Sequence, residues 1–123
     1  MSRLDNFSPQ RGVVADFNLN PTLGNETGKI RPCVVVSNDI YNRKLSVIQV
    51  VPITVWSAKK ARIITNIVLN SSSQNGLSKK SIADCLQTRP IDYLERYISS
   101  RGILERQLMN EINEALKIIF DLE

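Results

Sequence analysis

Hydrophobic residues in this chain gather in short runs separated by polar, turn-forming segments. Two runs rich in Val and Ile, CVVVS (33–37) and LSVIQVV (45–51), flank the polar stretch NDIYNRK (38–44). Short β-branched runs bounded by turn residues predict strands rather than helices. Together they predict a β-hairpin over residues 30–54 with its turn near residues 40–42. Folding there carries Arg31 and Thr54 to the same open end, nearly facing each other across the pair.

The same pattern extends to both sides. VVADF (13–17) predicts a first strand, RIITNIVL (62–69) a fourth and SIADCLQ (81–87) a fifth. Between the first strand and the hairpin lies NLNPTLGNETGK (18–29), without apolar periodicity; loops this long in a small domain are usually functional or mobile. VWSAKKA (55–61) predicts a loop with the single Trp and two Lys, and NSSSQNG (70–76) a polar turn. DYLERYI (92–98) predicts a turn of helix and ISSRG (98–102) more turn. In residues 105–122, Leu108, Ile112, Ala115, Leu116 and Ile119 recur at helical spacing opposite Glu111, Asn113, Glu114 and Lys117. Residues 1–10 predict a polar tail. The whole predicts one domain over residues 1–123, mainly β: a small, strongly curved antiparallel sheet or barrel with a C-terminal helix against it.

Composition narrows the chemistry. A formal charge of +4 and a pI near 9.3 favour acidic partners such as nucleic acid only slightly over no such partner. The chain has no histidine, which removes the Ser-His-Asp triad, imidazole acid–base pairs and most zinc sites. Cys33 and Cys85 both lie in apolar runs, and two buried thiols are expected rather than a disulfide. No apolar run is long enough to span a bilayer and the first ten residues hold no apolar signal core, so a cytoplasmic location is expected.

Read in order, RGVVADFNLNPT (11–22), GNETGKIRPCVVVSND (24–39), VVPIT (50–54), GL (76–77), QTRPID (87–92) and the closing EALKIIFDL (114–122) resemble the MazF/PemK family of toxin–antitoxin ribonucleases. The resemblance implies an SH3-like barrel of the MazF/CcdB toxin type and a homodimer. It further implies cleavage of single-stranded RNA without metal or cofactor, and neutralisation by a small acidic antitoxin. Members use the Arg of the RP motif and the Thr of the PIT motif, here Arg31 and Thr54. Some also use a Glu in the first loop, matched by Glu26. Others place an acid directly before the Gln of QxRxxD; here Leu86 stands there, with the nearest acid at Asp84.

RNA cleavage through its own 2′-hydroxyl needs removal of that proton, stabilisation of the charged phosphorane and protonation of the departing 5′-oxygen. Arg31 suits the second task, with a planar fork that grips two phosphate oxygens. Thr54 suits orientation of a phosphate oxygen, and Glu26 is the candidate base. Taken locally, Arg31 and Thr54 also read as an ordinary strand-start charge and strand-end residue, and Glu26 as a solvated loop carboxylate. Strand alternation sets Gln87 and Arg89 on one face, available to a base edge or phosphate, against an Arg89–Asp92 ion pair as the structural reading. Trp56 offers a stacking surface for a base or a cap for the core. Lys59 and Lys60, with Arg62, Lys79 and Lys80, offer backbone contacts or plain solvation. Two other functions fit the same scaffold: a non-catalytic toxin of the CcdB kind acting on DNA gyrase, and a degenerate member that binds RNA without cutting it.

Overall fold

The computed structural model describes residues 7–123. Among them the strands are β1 (Val13–Asn18), β2 (Ile30–Val35), β3 (Val47–Val55), β4 (Asn66–Leu69), β5 (Ser81–Asp84), β6 (Arg89–Asp92) and β7 (Tyr97–Ile103). The helices are α1 (Asp39–Lys44), α2 (Ala58–Ala61), α3 (Tyr93–Arg96) and α4 (Arg106–Phe120), with a 3₁₀ turn at Cys85–Gln87. All strand pairs are antiparallel in the order β4-β5-β3-β2-β1-β7, and β6 also pairs with β3. This is a curved, mainly β architecture carrying a C-terminal helix; the sheet does not close into a continuous barrel.

The central strands have apolar side chains on both faces because both faces are buried. Val14, Val34, Val51 and Ile53 enter one core with Met109, Ile112 and Ala115 of α4. The alternate positions Ala15, Phe17, Cys33, Val35, Ile48 and Val50 enter a second core with Tyr97. The unbroken apolar runs of the sequence therefore mark strands sandwiched between two cores. Cys33 and Cys85 are free and buried, one in each core. Burial pushes both thiols up, Cys85 to about 12. Neither thiol is expected to react with an alkylating probe at neutral pH until the protein is unfolded; mass spectrometry of the native and denatured protein checks this.

β3 organises the fold by changing partners along one edge. Val47–Val50 pair with β6, while Ile53–Val55 pair with β5. The residues between, Val51 and Pro52, lie opposite the 3₁₀ turn that separates β5 from β6. Pro52 has no N–H to give, so it fits where the ladder is interrupted.

Several predicted elements differ from those observed. The hairpin is present, but its turn is the short helix α1, capped by the Asn38 side chain accepting from the Ile40 N–H at 2.8 Å. Residues 58–61 are helical, and β4 is confined to Asn66–Leu69. Residues 97–103 form a strand instead of a turn. β7 pairs only with β1 and is largely exposed, so it carries no apolar alternation to reveal it. Of the predicted tail, residues 1–6 lie outside the described residues, whereas Phe7 stacks on Tyr97 with ring centroids 4.1 Å apart and Pro9 is buried. The C-terminal helix is present as expected, with Met109, Ile112 and Ala115 buried.

Candidate active site

The β2–β3 pairing sets Cys33 opposite Pro52 and Val34 opposite Val51. Continuing that register by two residues places Arg31 across from Thr54, at the open end predicted from the sequence. A cleft of about 530 Å³ opens there, lined by Arg31, Thr54, Glu26, Thr27, Lys60 and Asp84 among others. Five separate segments thus meet at one place: the 18–29 loop, β2, β3, α2 and the end of β5.

Arg31 is fixed at its inner nitrogen, where Nε donates to the Gly28 carbonyl at 3.1 Å. Among the described residues this is its side chain's one hydrogen bond, so the two terminal nitrogens keep their donors for a ligand. Thr54 Oγ1 accepts from Lys60 Nζ at 3.4 Å, and the same ammonium donates to the Val55 carbonyl at 3.3 Å. Lys60 therefore belongs to the cleft itself. Lys59, also exposed on α2, is not part of its lining.

Two carboxylates reach the cleft in different states. Glu26 is exposed on the loop, with Oε1 accepting the Leu23 N–H at 2.8 Å. Asp84 ends β5 and is partly buried. Burial raises the Asp84 pKa from that of an ordinary aspartate, against the pull of the Gln87 and Leu86 N–H groups and the Lys60 charge. The sequence did contain a sign of this residue: Asp84 is the lone acid between Thr54 and Asp92, set inside an apolar run. Lys60 had no such sign, because nothing local separates it from Lys59.

Gln87 and Arg89 are not on one strand face. The 3₁₀ turn Cys85–Gln87 interrupts the strand, so strand alternation does not relate the two side chains. Both residues instead hold the 18–29 loop. Gln87 Oε1 accepts from the Thr27 N–H at 3.2 Å, and Nε2 donates to the Asn25 carbonyl at 3.1 Å. Arg89 Nη1 donates to the Leu19 carbonyl at 3.0 Å. Asp92 caps α3 through the Leu94 N–H, and no Arg89–Asp92 ion pair occurs among the described residues. Arg96, not singled out from the sequence, grips the loop at the Asn18 and Asn20 carbonyls. Arg89, Gln87 and Glu26 also line a smaller depression of about 330 Å³ next to the cleft. Trp56 is half-buried, with Lys80 Nζ 4.5 Å from its ring centroid. That cation occupies one face of the indole.

Among the described residues no group of three or more His, Cys, Asp or Glu could hold a metal ion, and no helix is long and apolar enough to cross a membrane. Such a site offers a forked cation, a hydroxyl, a second cation and carboxylates. Those groups suit binding and in-line transfer at a phosphodiester.

Comparison with known proteins gives one consistent result. The family model described as PemK-like, MazF-like toxin of type II toxin–antitoxin systems matches residues 10–120. The endoribonuclease EndoA of Bacillus subtilis is 32% identical over 109 residues, covering 89% of this chain and 91% of its own. Endoribonuclease MazF9 of Mycobacterium tuberculosis is 34% identical over 118 residues, covering 92% and 97%. Among solved structures, MazF of Deinococcus radiodurans superposes with a TM-score of 0.82 at 19% identity, over 95% of this chain and 100% of that one. A mycobacterial endoribonuclease solved with its cognate antitoxin gives 0.70 at 22% identity, over 94% and 96%.

Proposed function

Since the chain belongs to the PemK-like, MazF-like toxins of type II toxin–antitoxin systems, we propose that it is an endoribonuclease that cuts single-stranded RNA without a metal. The observation that carries this reading is the Arg31 guanidinium: held through Nε, with its outer nitrogens unspent, in a cleft shared with Thr54 and Lys60. A fork fixed in this way is pre-organised for two oxygens of the scissile phosphate, and its charge offsets the charge that builds as the phosphorane forms. Thr54 and Lys60 sit beside it to orient and further neutralise the phosphate. The 2′-oxygen then attacks phosphorus in line with the departing 5′-oxygen, leaving 2′,3′-cyclic phosphate and 5′-hydroxyl ends. With no histidine in the chain, the cleft carboxylates Glu26 and Asp84 are the groups placed to take the 2′-hydroxyl proton.

The 18–29 loop, with Gln87 and Arg89 behind it, forms the wall along which flanking nucleotides run, and Trp56 presents its remaining ring face to a base. The partner that neutralises the toxin is a small acidic protein, in keeping with the +4 charge. Residues 1–123 act as one toxin domain in the cytoplasm, as a homodimer. Exposed Ile118, Phe120 and Leu122 at the end of α4 supply apolar surface beyond what the helix buries in its own core.

The test is incubation of the purified protein with a long RNA in excess EDTA, followed by end mapping. Discrete cuts with cyclic-phosphate and 5′-hydroxyl ends are expected. Intact RNA would overturn the ribonuclease reading, and intact RNA with inhibited gyrase would replace it with the CcdB-like one.

A further inference from the structure

The ribonuclease reading leaves open which groups move the protons. Resting on that reading, we propose that Asp84 and Lys60, rather than Glu26, form the proton-transfer pair: the Asp84 carboxylate takes the 2′-hydroxyl proton and the Lys60 ammonium gives one to the departing 5′-oxygen.

Three observations carry this. Both side chains line the cleft with Arg31 and Thr54, and they come from different elements, the end of β5 and α2. Lys60 is held in place by bonds to Thr54 Oγ1 and the Val55 carbonyl. Those two bonds leave one of its three ammonium donors for the substrate. Glu26 is exposed on the loop, where its Oε1 accepts the Leu23 N–H, whereas Asp84 is partly buried at the end of β5 with the Gln87 and Leu86 N–H groups acting on its carboxylate.

Burial supports the assignment, since it strengthens Asp84 as a base relative to an exposed carboxylate. The charged and titratable groups around Asp84 are Lys60 of α2, Arg31 of β2, Lys29 and Glu26 of the loop, and the adjacent Cys85. Cys85, pushed up to about 12, stays protonated at neutral pH and takes no part.

The step balances. A 2′-O–P bond forms and the P–O5′ bond breaks; Asp84 gains one proton and Lys60 loses one. Asp84 then returns its proton to the Lys60 amine, which resets the site. No outside acid, base or oxidant is consumed.

Two measurements test the pair. With the wild type, single-turnover cleavage should rise with pH through the Asp84 ionisation, which burial moves to higher pH than that of an exposed aspartate. Asp84→Asn should lower the rate by about 100-fold or more and remove that acid limb, whereas Glu26→Gln should keep the limb. Lys60→Met should lose a similar factor on ordinary RNA. It should regain most of that loss on RNA with a sulfur in place of the scissile 5′-oxygen, because a thiolate departs without protonation. An acid limb that persists in Asp84→Asn, or a Lys60→Met defect equal on both substrates, would overturn the pair. In either case wild-type cleavage would leave the ribonuclease reading standing; absence of wild-type cleavage would sink that reading first.

Discussion

Arg31→Ala is expected to lower RNA cleavage by about three orders of magnitude while leaving the protein folded, a loss typical of removing a principal charge-stabilising group. Arg31 is half-exposed, and its one side-chain bond holds a loop carbonyl at the surface. Its removal therefore costs little core packing. What disappears is the oriented fork, and with it the charge that meets the phosphorane. Arg31→Lys retains a positive charge but lacks both the Nε anchor and the paired terminal nitrogens, so it should recover only a small part of the rate. Single-turnover cleavage of a labelled oligonucleotide, with a thermal melt of each variant, checks the claim. A folded Arg31→Ala protein that cuts at a near-normal rate would remove Arg31 from the mechanism.

The second large effect is on stability. Gly76→Ala is expected to destabilise the fold by about 3 kcal/mol and to lower the melting temperature by roughly 10 °C. Gly76 has φ +70°, a conformation unfavourable for alanine, and a Cβ there would lie 2.2 Å from the Arg101 carbonyl oxygen. That oxygen belongs to the main chain of β7, so the clash cannot be relieved by turning a side chain. Either the 70–77 loop lifts or β7 shifts on β1. Both routes strain a connected set of bonds. Arg101 Nη1 donates to the Gly76 carbonyl at 3.2 Å, and its Nε pairs with Asp16 at 2.7 Å. The same loop is held through buried Asn75, whose side chain accepts from Ser72 and Leu77 and donates to Asn70 and Glu105. Glu105 adds a pH signature. It is desolvated on folding, but bonds from Ser72, its own N–H and Asn75 outweigh that and hold its pKa below the usual value. Its contribution is present above the unfolded-state pKa and is lost as pH falls through the folded one. Urea denaturation of wild type and Gly76→Ala at neutral pH measures the main effect; equal midpoints would sink it.

These two predictions also mark what could be read from the chain. Arg31 and Thr54 were legible because a hairpin register depends only on two apolar runs and the polar gap between them. The exact form of the turn, helix or loop, leaves that register unchanged. The region around Gly76 was legible only as a turn, since its cost arises from β7, which has almost no apolar signature of its own. The strand SIADCLQ was read as continuous because its apolar pattern does not break where its backbone does. Its partner strand decides that point: β3 changes neighbours opposite Pro52, and the excess residues coil into the 3₁₀ turn. Gln87 and Arg89 therefore do not share the strand face that alternation predicts, and their side chains hold the loop. The link between Lys60 and Thr54 is tertiary in origin, and no spacing rule would have singled out Lys60 over Lys59.

The hold on the 18–29 loop has a consequence for how such a toxin can diversify. Arg31, Gln87, Arg89 and Arg96 all grip it by the main chain, at Gly28, Asn25, Thr27, Leu19, Asn18 and Asn20. The side chains at positions such as Thr22, Leu23 and Asn25 contribute nothing to those grips. They form an exchangeable cassette on a fixed frame, and a library randomised there should yield folded proteins whose preferred cut sites differ while the bond-breaking groups stay where they are.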